Sequence, residues 1–221
     1  MASKKHSLPI CEILTVGSEL LTGQILDTNS SYLSQEMCNL GIDVRYRTSV
    51  GDRHDEIVNV LEIALDRADM VVTTGGLGPT EDDLTRQAVA SVAGVQLEYR
   101  EELLQRIEMV FKRYGYRMPA NNKRQAYIPR GSQPIENPVG TAPGFIMEIN
   151  GIPVICLPGV PRELKYLWPN SVAKWIRKKF KLGDKLLTTK LLKVAGIGES
   201  KVDIIIGDLI RNSSNPKIGL L

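Results

Sequence analysis

The run Gly75-Gly76-Leu77-Gly78-Pro79-Thr80 is the segment best suited to chemistry, because closely spaced glycines let backbone amides approach an anion that bulkier residues would keep away. It follows the apolar run Met70-Val71-Val72-Thr73-Thr74 and precedes a helical pattern, so the loop is expected to hold a phosphate at a strand-to-helix junction, with Gly75, Gly76, Gly78 and Thr80 as the cradle. A nucleotide-binding P-loop would carry a lysine at its end; here Glu81-Asp82-Asp83-Leu84-Thr85 follows instead. Carboxylates beside a phosphate repel it unless a cation bridges them, and that points to a divalent metal such as Co²⁺, Mn²⁺ or Mg²⁺. The competing reading is that Glu81, Asp82 and Asp83 occupy the first turn of a helix capped by Thr80 and complement its dipole.

Two further acids are expected on the same edge. Asp52, in Val50-Gly51-Asp52-Arg53, reads as the partner of Asp83 in holding metal or orienting water, or else as the N-cap of the helix that follows. Glu19, in Gly17-Ser18-Glu19, is a third acid there, or a solvated loop residue.

The elements that must position these residues are legible in the periodicity. Ile10 to Val16 reads as a buried strand, Ile42 to Val50 and Met70 to Thr74 read as the second and third strands, and the stretches starting at Thr28 and near Ile57 have helical spacing. This β-α-β-α-β alternation predicts a three-layer α/β/α fold with a mostly parallel sheet and ligands beyond the carboxyl ends of its strands. The loops after Val16, Val50 and Thr74 then share one edge. A helix from about Glu101 to Tyr114 follows, and Asn150-Gly151 between Gly144–Ile149 and Ile152–Leu157 is a hairpin signal. Pro158-Gly159-Val160-Pro161 leads into another helix. After Gly183 the pattern restarts with strand-like Leu186 to Val194, a helix from Glu199 to about Ile210 and a strand-like end at Ile218 to Leu221. A domain of residues 1–182 and a small, incomplete α/β unit of residues 183–221 are expected.

Composition narrows the function classes. The chain has 221 residues, 43% hydrophobic and 24% charged, which suits a folded core. A net charge of +3 from 28 basic and 25 acidic residues falls short of a nucleic-acid footprint, and the densest basic run, Arg177 to Lys181, reads as a helix C-terminus. Cys11, Cys38 and Cys156 read as reduced core residues. With no secretory leader and no apolar run long enough to cross a membrane, a cytoplasmic protein is expected.

The ordered motifs Gly17-Ser18-Glu19-Leu20-Leu21-Thr22-Gly23, Asp27-Thr28-Asn29, Gly51-Asp52, Thr74 to Thr80 with Asp83 and Thr85, Lys123-Arg124-Gln125-Ala126, Asn137 to Gly144 and Leu157 to Pro161 resemble the molybdopterin-binding (MoCF) domain. In particular they are similar to the amino-terminal part of the CinA family of competence/damage-inducible proteins, over about residues 8 to 180. The resemblance implies a metal-dependent, K⁺-assisted ADP-ribose pyrophosphatase that yields AMP and ribose 5-phosphate. It equally allows a pterin-phosphate ligand in molybdenum-cofactor biosynthesis, or a ligand-binding module without catalysis. It implies ligand contacts at Glu19, Asn29, Asp82, Thr85, Asn137, Pro158 and Gly159, and a homodimer or larger assembly. Residues around Gly196-Ile197-Gly198 resemble the family's KH-type unit but lack the G-x-x-G clamp, so nucleic acid is not expected. The family's carboxy-terminal amidase domain has no counterpart in these residues, and deamidation is not expected of them.

Overall fold

The computed structural model describes residues 8–183, 190–216 and 218–220. Two compact units divide it, residues 1–187 and 188–221.

In the first unit, strands β1 (Ile10–Val16), β2 (Asp43–Val50), β3 (Met70–Thr74), β6 (Gln133–Ile135), β7 (Gly144–Ile149) and β8 (Ile152–Leu157) form one sheet in the order β2-β1-β3-β8-β7-β6. β1 lies parallel to both β2 and β3, and β3 parallel to β8; β7 runs antiparallel to its neighbours. The carboxyl ends of β2, β1, β3 and β8 therefore share one edge, as the alternation predicts. A second, two-stranded antiparallel sheet of β4 (Leu97–Tyr99) and β5 (Tyr127–Pro129) was not signalled by the sequence pattern.

Alternation along the central strands divides the core into two layers. Ile13, Val72, Ile155 and Leu157 face one side and pack with Leu33 and Met37 of α2 (Thr28–Leu40) and with Leu164 and Trp168. The latter two lie in a helical stretch made of α6 (Pro161–Leu167), a π-helical segment Trp168–Val172 and α7 (Ala173–Lys179). Leu14, Val71, Val154 and Cys156 face the other side. There they meet α3 (His54–Arg67), α4 (Thr85–Val92) and α5 (Glu101–Arg113). Being covered on both faces is why these strands read as near-continuous apolar runs. Gly41 ends α2 at φ 79, and the hairpin between β7 and β8 turns on Asn150 at φ 52 and Gly151 at φ 82, the two positive angles of a type I′ turn.

Three expectations are corrected. The acids 81–83 lie in no helix, because α4 starts only at Thr85, whose amide bonds the Gly76 carbonyl. Leu186 to Val194 falls partly outside the described residues, and its described part, 190–194, forms no strand; Ile218 to Leu220 forms none either. A strand needs a neighbour to accept its amides, and the only regular element described in this unit is α8 (Glu199–Asn212). Cys38 is half-buried rather than a core residue, unlike Cys11 and Cys156. Among the described residues no helix is long and apolar enough to cross a membrane.

Candidate functional site

The glycine loop is held by side chains that fix two of its carbonyls. Thr85, fully buried, donates its hydroxyl to the Gly75 carbonyl at 2.8 Å and its amide to the Gly76 carbonyl at 3.1 Å. In a trans peptide the N–H points away from the C=O, so fixing these two carbonyls turns the amides of Gly76 and Leu77 the other way. Among the described residues those two amides have no protein acceptor. Gly75 and Gly76 adopt φ 104 and φ 65. A Cβ at Gly75 would overlap the Val16 carbonyl, and one at Gly76 the Thr85 hydroxyl, so both positions require glycine.

Gly78 and Thr80, expected to offer amides to a ligand, spend them internally. Asp83 accepts the Gly78 amide at 2.7 Å and the Thr80 amide and hydroxyl at 2.8 and 2.5 Å. Glu81 pairs with Arg124 at 2.8 Å, outside the loop. The Asp83 carboxylate thus ties the loop together, which the charge pattern alone did not reveal.

Asp52 is not the N-cap of α3; Arg53 occupies that place without a side-chain bond. Instead Asp52 accepts the Ser18 amide at 2.8 Å, and its own amide donates to the Ser18 hydroxyl at 3.2 Å, clasping the loops after β1 and β2. Glu19, in the short helix α1 (Ser18–Leu21), is exposed and folds its carboxylate over Gly17, where a Cβ would lie 2.6 Å from an oxygen.

Asn29 locks the loop after β8. Its Nδ2 donates to the Gly159 carbonyl at 2.7 Å and to the Thr74 hydroxyl at 3.1 Å, and that hydroxyl donates to the Pro158 carbonyl at 3.0 Å. Because an oxygen could not face the Gly159 carbonyl, the amide orientation is fixed, and Oδ1 is buried without a partner among the described residues. Gly159 packs against Gly75, where a Cβ would lie 3.2 Å from its Cα. Asn137 donates to the Ala142 carbonyl at 2.8 Å and to Glu163 at 2.6 Å, joining the 137–144 turn to the start of α6. Burial pushes the Glu163 carboxyl up, against the lowering effects of the Asn137 bond and the Arg162 charge.

The loops after β1, β2, β3 and β8 therefore interlock at one edge. Both Asp83 oxygens and one Asp52 oxygen accept amide protons. Among the described residues no three His, Cys, Asp or Glu side chains are grouped to hold a cation.

Sequence reasoning missed the braces. Arg86, 2% exposed, donates to the Leu77 and Gly78 carbonyls at 2.5 and 2.9 Å. Gln125 donates to the Leu77 carbonyl at 3.3 Å, and Arg124 to the Pro79 carbonyl at 3.4 Å. The Lys123-Arg124-Gln125-Ala126 motif was visible without its role. Arg86 gave only one signal, its helical phase beside Ala90 and Val89 on the inward face of α4.

Residues 12–178 match the family described as a probable molybdopterin binding domain, and residues 189–221 match the KH domain of damage-inducible protein CinA. The chain belongs to the CinA family. A putative competence-damage inducible protein of Caldicellulosiruptor saccharolyticus is 44% identical over 211 residues, 96% of this chain and 51% of that protein. The crystal structure of CinA from Thermoplasma acidophilum, described as of unknown function, is 39% identical with a TM-score of 0.68, covering 74% of this chain and 95% of that one. The molybdopterin biosynthesis enzyme MoaB from Thermus thermophilus, 20% identical with a TM-score of 0.51 over 80% of this chain and 100% of that one, shares the fold. This CinA-family chain spans about half the length of the curated relatives it matches.

Proposed function

We propose that the first unit binds a phosphate-bearing heterocyclic ligand of the molybdopterin class at the carboxyl edge of its parallel strands. The observation that carries this reading is the pair of amides on Gly76 and Leu77 that have no protein acceptor among the described residues, their peptides fixed by Thr85 at the end of β3. Two preset amides on a loop that approaches closely suit one phosphate oxygen cluster and need no reorganisation on binding. The family description supports a pterin as the group attached to that phosphate. Gly75, Gly78, Thr80, Asp83 and Thr85 shape the cradle, and Asn29, Pro158 and Gly159 set the opposite wall. Asp82, Asn137 and Glu19 border the opening.

Hydrolysis of a nucleotide diphosphate such as ADP-ribose is the second reading. Its support is narrower: the exposed Glu19 carboxylate and the second oxygen of Asp52 stand on the same edge without protein donors among the described residues. Divalent cations and K⁺ are variables of the test.

Calorimetric titration of the 221-residue chain with a phosphorylated pterin, its dephosphorylated form and ADP-ribose separates these readings, with Mg²⁺, Mn²⁺ or Co²⁺ and K⁺ added or EDTA present. Binding that requires the phosphorylated pterin and produces no new species on chromatography is expected. Cation-dependent release of AMP and ribose 5-phosphate from ADP-ribose would move the function to hydrolysis. Absence of binding by every compound would sink both.

A further inference from the structure

The glycine loop carries three acids and no lysine, yet an anion must be attracted to it. A cation stands directly behind it. Arg86 in the first turn of α4 is 2% exposed, and its guanidinium donates to the Leu77 and Gly78 carbonyls at 2.5 and 2.9 Å. Among the described residues it forms no ion pair with a carboxylate. Glu81 is taken by Arg124, and Asp83 points both oxygens at loop donors. Burying a cation is costly unless something compensates it, and two backbone carbonyls compensate only in part.

We infer that Arg86 is the residue that makes the Gly75–Gly78 loop selective for highly charged phosphate, its buried guanidinium supplying from behind the positive field that a loop lysine would supply from the front. The inference rests on the proposed phosphate cradle and adds the source of its charge selectivity. Two features of the geometry support it. The guanidinium donates to the Leu77 and Gly78 carbonyls, so it lies within the same turn as the unpartnered amides of Gly76 and Leu77. It is also shielded from water, so its field on an anion in front is screened far less than that of a surface lysine. Burial draws its pKa down to about 10, with the Asp83 charge opposing and the Arg124 charge adding to the fall, and the group stays charged at neutral pH.

The test compares the native chain with Arg86→Gln and Arg86→Lys, using inorganic pyrophosphate and inorganic phosphate as probes. Affinities come from calorimetry and folding from thermal melting. Arg86→Gln keeps a donor to the carbonyls and removes the charge, whereas Arg86→Lys keeps the charge and loses the fork. We expect Arg86→Gln to lose about tenfold or more in pyrophosphate affinity, and to narrow the preference for pyrophosphate over phosphate. Arg86→Lys should weaken binding of both probes and keep that preference, because it loses the fork but not the charge. A purely structural brace would scale both probes together and leave their ratio unchanged. That result, or an unchanged pyrophosphate affinity in a folded Arg86→Gln, overturns the inference. If Arg86→Gln does not fold, Arg86→Lys decides: folded but without the preference, it also overturns it. A native chain that binds neither probe removes the phosphate cradle itself, a different outcome from a native chain that binds both and a variant that does not discriminate.

Discussion

Asp83 and Gly78 form the clasp that shapes the glycine loop: a carboxylate oxygen accepts the Gly78 amide at 2.7 Å, and a Cβ at Gly78 would overlap the same carboxylate. The second oxygen takes the Thr80 amide and hydroxyl. Asp83→Ala leaves these donors without their acceptor and should cost about 1–3 kcal/mol. Asp83→Asn keeps one acceptor and turns an N–H toward Thr80, so it should cost nearly as much. Urea unfolding gives the loss, and faster hydrogen exchange at the Gly78 amide locates it. An Asp83→Ala chain with native stability and native Gly78 exchange would show that the clasp holds nothing.

Asn29 and Gly159 belong to distant segments, and one amide nitrogen joins them at 2.7 Å. Asn29→Asp replaces that donor with an oxygen facing a carbonyl, in a position that is nearly buried. A loss of about 2–3 kcal/mol is expected, greater than for Asn29→Ala, which removes the bond without creating the repulsion. Equal losses in the two variants would mean that the contact contributes only packing.

How far the sequence could be read follows from what each signal depends on. Periodicity and turn chemistry are local, so Ile10 to Val16, Met70 to Thr74 and the Asn150-Gly151 turn emerged where they were expected. Parallel order brought the loops after Val16, Val50 and Thr74 to one edge. What stayed hidden was the direction of side chains within the loops. Asp83 looks the same in sequence whether its oxygens face a metal or the amides of Gly78 and Thr80, and only the turn between them decides. Arg86 reads as a surface residue because arginine is rarely buried, and its carbonyl partners are backbone atoms that no residue type announces. The strand expected over Leu186 to Val194 does not form in its described part for a related reason, since Lys190 to Val194 has strand propensity but no described neighbour to pair with.

Thiol accessibility should divide the three cysteines. Burial, with the Glu12 charge adding to it, pushes the Cys11 thiol far above its usual range, and burial pushes Cys156 up to about 12 despite the Thr73 hydroxyl. Thiolate is the reactive form, so a disulfide reagent near neutral pH should modify the half-buried Cys38 first and the other two only after unfolding in guanidinium. Cys38→Ser should abolish the fast phase. Rapid modification of Cys156 in the folded chain would contradict its place on β8, beneath the layer formed by α3, α4 and α5.

The final prediction concerns Glu163 and pH. Its carboxyl is pushed up chiefly by burial, it accepts from Asn137, and Gly140 lies so close that any Cβ there would overlap it. A carboxyl whose value is raised on folding takes up protons more readily in the folded than in the unfolded chain. Its contribution is therefore fully present below the ordinary glutamate range and is lost as pH rises through the raised value. Glu163→Gln removes the titration and keeps a carbonyl oxygen to accept from Asn137. Melting temperatures of both chains should accordingly converge at acid pH, and the glutamine variant should become the more stable as pH climbs past the ordinary glutamate range. A parallel pair of profiles from about pH 4 to about pH 8 would mean that Glu163 titrates alike in the folded and unfolded chains. If the variant instead loses stability as pH climbs, the Asn137 bond depends on the full charge, and the 137–144 turn is held by the carboxylate rather than in spite of it.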